Sequence, residues 1–216
     1  PKDITVEYAE YEREAIEPVK PKSDRISEQA LREALELIRR AERPVCFVGG
    51  GVVRARAGGE LSEFIEKIDA PVCTSLMGIG AVPTTSNRYT GMVGMHGTKV
   101  SNMIVSMCDL LIVIGARFSD RVVSKASAFA RGADIIHIDV DAAEIDKNIT
   151  ATVGLVGDVR VVLKELNRRI DKQIPSNGWM DQVHSYKERF PIRIESENQR
   201  SKEVLKALQK VLPEGS

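Results

Sequence analysis

Leu31, Ala34, Leu35 and Ile38 recur at helical spacing. Just before them, the Ser27 hydroxyl can accept from the free amides of a first helical turn, and Ile26 can staple against Leu31. This pattern predicts a helix from about Ser27 to Ala41. The next signal differs in kind: Pro44-Val45-Cys46-Phe47-Val48 is a continuous apolar run of strand length that ends in Gly49-Gly50-Gly51. Helical spacing then returns at Leu61, Phe64, Ile65 and Ile68. The unit of strand, glycine turn and helix repeats. Strands are predicted at Pro71 to Thr74, Asp109 to Ile114, Asp134 to Val140 and Val153 to Val156, and helices at Val100 to Met107 and Val159 to Ile170. Continuous apolar strands alternating with helices predict a parallel sheet covered on both faces, a doubly wound, three-layer α/β/α arrangement.

The flanks read differently. Residues 1–22 carry many charges, three prolines and no apolar periodicity, which predicts an extended linker. From Gln173 the composition shifts again: Pro175-Ser176-Asn177-Gly178 breaks the chain, and a charged stretch runs from the lone Trp179 to Arg200. This stretch is predicted to be a second linker. Ser201 to Leu212 is an amphipathic helix stopped by Pro213, with no strand after it.

Composition narrows the partners. Lys plus Arg number 31 and Asp plus Glu number 31, so no net field draws the chain to nucleic acid or to an anionic membrane. The longest apolar runs, such as Leu110 to Ile114, fall far short of the ~20 residues of a spanning helix, and Pro1-Lys2-Asp3 does not open a signal peptide. The expected compartment is the cytoplasm. Cys46, Cys73 and Cys108 are odd in number and set among apolar neighbours, which predicts buried, reduced thiols. His96, His137 and His184 are too scattered to suggest a zinc site.

Ligands of such sheets bind beyond the carboxyl ends of the strands. Those ends carry Gly49-Gly50-Gly51, then Thr74-Ser75-Leu76-Met77-Gly78, then Gly115 to Arg121 with Arg117, Asp120 and Arg121, then Asp139 and Asp141, then Gly157-Asp158. Glycine allows close backbone approach, arginine meets phosphate, and carboxylates accept ribose hydroxyls, which together suit a nucleotide. The fingerprint of the common NAD type is absent, because Arg54 stands where the third glycine belongs and the second strand ends in Thr74-Ser75. Each feature also has a plainer reading. A triple glycine makes a tight turn, Asp141 can cap the helical turn after it, the arginine cluster can be a solvated loop, and His96 can be a packed or capping residue. No nucleophile elbow, Walker loop or acid/base constellation appears, so the residues point to binding rather than self-sufficient catalysis.

Three motifs carry a resemblance: Gly91-Met92-Val93-Gly94-Met95-His96-Gly97, then Ala116-Arg117-Phe118-Ser119-Asp120-Arg121-Val122, then His137-Ile138-Asp139-Val140-Asp141-Ala142-Ala143-Glu144-Ile145. In that order they are very similar to the acetolactate (acetohydroxyacid) synthase family of thiamine-diphosphate enzymes, and Val48 to Gly51 and Ser75 to Gly80 also fit. The resemblance implies a Rossmann-like central FAD-binding domain at residues 23–172. It assigns residues 1–22 as a linker from an N-terminal pyrimidine-binding domain. Residues 173–216 become a linker and the first helix of a C-terminal diphosphate-binding domain. The catalytic glutamate and the thiamine diphosphate and Mg2+ sites of the family belong to those other domains, so this chain alone is expected to be inactive.

The flavin contacts implied by the resemblance are Gly49, Gly50, Gly51, Ser75, Leu76, Met77, Gly78, Met95, His96, Gly115, Arg117, Arg121, Val122, Asp139 and Asp141, with Gly157 and Asp158 near the adenine end. Asp120 and Arg121 would border the substrate channel. Most of the family reads Arg-Phe-Asp-Asp-Arg where this chain has Arg117-Phe118-Ser119-Asp120-Arg121, so Ser119 keeps a hydrogen bond but loses a charge. The arginine-phenylalanine pair is typical of the flavin-containing biosynthetic members, which condense two pyruvates, or pyruvate with 2-oxobutyrate, on the way to branched-chain amino acids. Their flavin is largely structural. Implied partners are 2-oxo acids, further copies of the full-length chain as homodimer or homotetramer, and a small regulatory subunit. Two other readings remain open: the central domain of another thiamine enzyme, such as a glyoxylate carboligase or oxalyl-CoA decarboxylase, or a spacer that has lost nucleotide binding.

Overall fold

The computed structural model describes residues 26–119, 122–123, 129–175, 177–191 and 199–212. The leading linker expected at residues 1–22, and Asp120 and Arg121, lie outside the described residues. Helix α1 (Glu28–Arg40) starts where the sequence places it, with the Ser27 hydroxyl accepting from the Ala30 amide. Strand β1 (Pro44–Val48) follows, then a short helix α2 (Gly50–Arg54), helix α3 (Gly58–Lys67), β2 (Val72–Thr74) and β3 (Tyr89–Met92). Helix α4 (Lys99–Met107) leads to β4 (Leu110–Ile114), β5 (Asp134–Asp139), β6 (Val153–Val156) and α5 (Val159–Arg169). Helices α6 (Trp179–Arg189) and α7 (Gln199–Val211) complete the described chain.

The six strands form one sheet in the order β3-β2-β1-β4-β5-β6, and every pairing is parallel. The chain starts at β1 in the middle, works outward to β3, and returns to lay β4 against the other side of β1. Neighbouring connections therefore leave β1 and β4 in opposite directions, which opens a crevice at their carboxyl ends.

Side-chain alternation explains why both faces must be covered. Cys46 and Val48 of β1, Leu110, Ile112 and Ile114 of β4, and Ile136 and Ile138 of β5 face one core with Leu31 and Ile38 of α1, Phe64 of α3, and Val162 and Leu166 of α5. Val45 and Phe47, Leu111 and Val113, and Ile135 face the other core with Val100 and Ile104 of α4. Each such aliphatic or aromatic side chain, fully buried, contributes about 1.5–3 kcal/mol.

Two stretches differ from expectation. The region from Gln173 read as a linker contains α6, whose Trp179, Met180 and Val183 are buried. Trp179 and Val183 complete the second core, and the indole nitrogen donates to the Pro44 carbonyl at the start of β1 (3.1 Å). One turn of apolar residues suffices to dock this helix, and the polar remainder hid it. The edge strand β3 was also unforeseen, because Tyr-Thr-Gly-Met has no apolar run and bends at Gly91, φ +105°. The three cysteines are buried and free, as the sequence predicts. Burial raises all three thiol pKa values, that of Cys108 to about 12.

Candidate functional site

At the carboxyl end of the sheet three loops meet backbone to backbone. The Gly49 amide donates to the Ile114 carbonyl (3.0 Å), the Gly51 amide to the Gly115 carbonyl (2.9 Å), and the Ser75 amide to the Val48 carbonyl (2.9 Å). A Cβ on Gly49 would lie 2.2 Å from the Gly115 oxygen, and one on Gly51 2.7 Å from the Gly115 Cα. Gly78 is held as closely, 2.3 Å from the Val48 oxygen. Gly49, Gly51, Gly78 and Gly115 are thus required by the crossing of the loops themselves, and Gly115 also takes φ +56°.

Above this crossing lies a cleft of about 1090 Å³, slightly above the roughly 300–1,000 Å³ usual for small-molecule sites. Of the residues singled out from sequence, Gly50, Gly51, Ser75, Leu76, Met77, His96, Gly115, Arg117, Val122, Asp139, Asp141 and Asp158 line it. Four others do not. Gly49 and Gly78 are consumed by the crossing, Gly157 packs against Ile26 and Val162, and Met95 stands exposed beside the lining residue His96. Asp120 and Arg121 are outside the described residues.

The loop after β3 is fixed by an amide pair: the Asn102 side chain of α4 accepts from the Gly94 amide (2.9 Å) and donates to the Gly94 carbonyl (3.0 Å). Thr98 caps α4 by accepting from the Ser101 amide, and its hydroxyl donates to the Thr90 carbonyl (2.7 Å). His96 is therefore carried on a tight, well-anchored turn toward the cleft rather than packed in a core. Leu76 and Met77, on the turn after β2, present exposed apolar surface to the same space.

The loop after β4 turns Phe118 inward, where its ring meets the edge of His137 (centroids 5.2 Å apart) and of Phe129 (5.9 Å). Arg117 faces the cleft, its side chain 73% exposed, with a long contact of 3.9 Å to Glu144. His137 is wholly buried, and desolvation lowers its pKa against a weaker opposing effect of its bond to Ala116. It is the neutral imidazole whose Nε2–H donates to the Ala116 carbonyl (3.0 Å).

Carboxylates line the cleft after β5 and β6. Asp139, nearly buried at the end of β5, accepts from the Asp141 amide (2.9 Å), and Asp141 accepts from the Ala143 amide (3.0 Å). Asp158 caps α5 through the Arg160 and Val161 amides. The plainer capping reading of Asp141 therefore holds, and it does not exhaust the residue, since one carboxylate oxygen carries that bond. Sequence reasoning missed Arg54 and Glu144 as lining residues. Arg54 had a signal, since it fills the third position of the glycine motif, whereas Glu144 reads as one residue of a helical turn. Among the described residues no group of three or more His, Cys, Asp or Glu is arranged to hold a metal ion. No helix among them is long and apolar enough to cross a membrane.

The sequence of the chain is similar to that of known proteins. The chain is 40% identical over 166 residues to the acetolactate synthase large subunit of Cyanidium caldarium, covering 74% of this chain and 28% of that protein. It is 44% identical over 163 residues to the probable acetolactate synthase large subunit of Methanocaldococcus jannaschii, covering 73% and 27%. With the acetolactate synthase large subunit of Porphyra purpurea it shares 36% over 206 residues, covering 90% and 34%. The chain thus spans about a third or less of the length of these relatives. Residues 31–166 match the family described as thiamine pyrophosphate enzyme, central domain. The chain belongs to that family.

Proposed function

We propose that this chain is the FAD-binding central part of an acetolactate synthase large subunit. The observation that supports the reading is the cleft at the β1/β4 reversal, which is lined by Arg54 and Arg117 together with Asp139, Asp141 and Asp158. The residues fit a dinucleotide. Arg117 and Arg54 would meet the diphosphate, and Asp139 and Asp141, each with one oxygen committed to a backbone amide, keep the other for a ribose hydroxyl. Asp158 would stand toward the adenine end, and the apolar Leu76 and Met77 would lie along the flavin. When bound, the flavin would act mainly by ordering the loops that wall the active site of the longer protein.

That longer protein would join two pyruvates, or pyruvate and 2-oxobutyrate, with thiamine diphosphate and Mg2+ held outside this chain. The thiamine group supplies the chemistry of carbon–carbon bond formation, and this chain alone would be inactive. A homodimer or homotetramer in the cytoplasm, accompanied by a small regulatory subunit, completes the proposal.

A second reading, a spacer without a nucleotide, draws on a specific observation: Gly49, Gly51, Gly78 and Gly115 serve loop crossing, while Asp141 and Asp158 serve as caps. It leaves Arg117, exposed and with only a 3.9 Å contact to Glu144, without a purpose at its strand end. Calorimetric titration of the chain with FAD, with NAD and thiamine diphosphate as controls, decides between them. Saturable binding of FAD alone supports the flavin reading. Absence of binding by all three, in this chain and again in the full-length protein, establishes the spacer.

A further inference from the structure

Three consecutive carbonyls around Arg117 are each occupied. Ala116 O accepts from His137 Nε2 (3.0 Å), Arg117 O from the Ser119 amide (3.0 Å), and Phe118 O from Asn148 Nδ2 (2.7 Å). The Phe118 ring, 4% exposed, is held between His137 and Phe129 on the side of the sheet away from α1. The residues on either side of Arg117 are thus pinned by side chains from β5 and from the loop between β5 and β6. Ala116 and Phe118 are both buried, whereas Arg117 between them is exposed and lines the cleft. With Phe118 fixed inward, Arg117 has to point outward into the cleft.

Neither His137 nor Asn148 lines the cleft, and neither has a role in the flavin reading. Both hydrogen bonds come from far along the chain, from residues 21 and 30 positions away from their acceptors. Local turn formation could close this loop without them. What the two long-range bonds add is a fixed direction for the Arg117 Cα–Cβ bond, which sets the space its long, exposed side chain can sample.

We infer that His137 and Asn148 are positioning residues for Arg117, pre-aiming its guanidinium at the phosphate of the bound dinucleotide. The inference rests on the flavin reading. A guanidinium confined to the cleft side before binding loses less freedom when it pairs with phosphate, so affinity rises without any added contact.

A double-mutant cycle on the whole chain tests this, with FAD affinity by calorimetry as the readout. Asn148→Ala is expected to raise the FAD Kd roughly tenfold, and Arg117→Ala by at least as much. In the Arg117→Ala background, Asn148→Ala should change Kd by less than about twofold, because its effect passes through a side chain that is no longer there. An equal tenfold loss in both backgrounds, or no loss in either, overturns the inference. His137→Phe, which keeps an aromatic ring and removes the donor, should follow the same pattern, and thermal melting of each variant identifies any that fail to fold. Should neither this chain nor the full-length protein bind FAD, the flavin reading falls on its own. The pinning is then judged by hydrogen exchange at the Val122 and Val123 amides, both bonded to Ser119 O in the ligand-free chain. Faster exchange in Asn148→Ala upholds it, and unchanged exchange overturns it.

Discussion

The glycines under the cleft and the charges around its mouth sit a few residues apart, yet they differ in what their loss would do. Gly49, Gly51, Gly78 and Gly115 face other backbone at distances no side chain can share. Arg117 and Asp141 project into space that the protein itself does not fill. The first set decides whether the loops can cross at all, and the second decides what the crossing can hold. A motif that looks like one functional signature in the sequence therefore separates into a part under folding constraint and a part free to carry chemistry.

Gly49→Ala attacks that distinction most directly. Its methyl group would meet the Gly115 carbonyl and Ala116, and a cost of about 3 kcal/mol or more is expected from overpacking against backbone. Denaturant unfolding measures it; a near-neutral result would mean that the crossing yields and the glycines are there for a ligand. Asp158→Ala lies between the two sets, since the residue lines the cleft and also caps α5. A loss of about 1 kcal/mol and a lower Tm are expected from the cap alone.

Acid provides a third comparison. His137 is neutral and its folded pKa is lowered, chiefly by desolvation, so the unfolded chain binds the proton more readily. Its contribution is present above the unfolded value of about 6.5 and is lost as pH falls toward the lower folded value. Unfolding free energy measured from pH 7 to pH 5 should decline, and His137→Phe should flatten that decline. Arg117→Ala should have the smallest effect on stability. An exposed arginine with a 3.9 Å contact to Glu144 contributes little, and a change within about 0.5 kcal/mol is expected in the same unfolding experiment. A large loss would place Arg117 with the glycines and remove the distinction.

Much of this was legible in the sequence, for reasons that also explain the gaps. Strands β1, β2, β4, β5 and β6 were readable because central parallel strands are apolar on both faces, whereas β3 at the edge has no such run. Helix α2 was hidden inside the triple glycine, and α6 behind its charges, since its docking depends on Trp179 reaching a β1 carbonyl 135 residues away. Most of the lining residues followed from asking what stands after each strand. The roles of Gly49 and Gly78 did not, because a close approach between loops distant in sequence leaves no local mark. His137 was noted as too isolated to bind metal and as the opening residue of a motif, and its bond to Ala116 depends on β4 and β5 being neighbours.

The three raised thiols add one more consequence. Cys46 and Cys73 lie in β1 and β2 and Cys108 just before β4, so they mark the middle of the sheet. Alkylating reagents need the thiolate, and burial denies them both access and anion. The native chain should be inert to iodoacetamide. Each modified cysteine would then record an opening of the sheet interior, which gives the protein a built-in clock for its own unfolding.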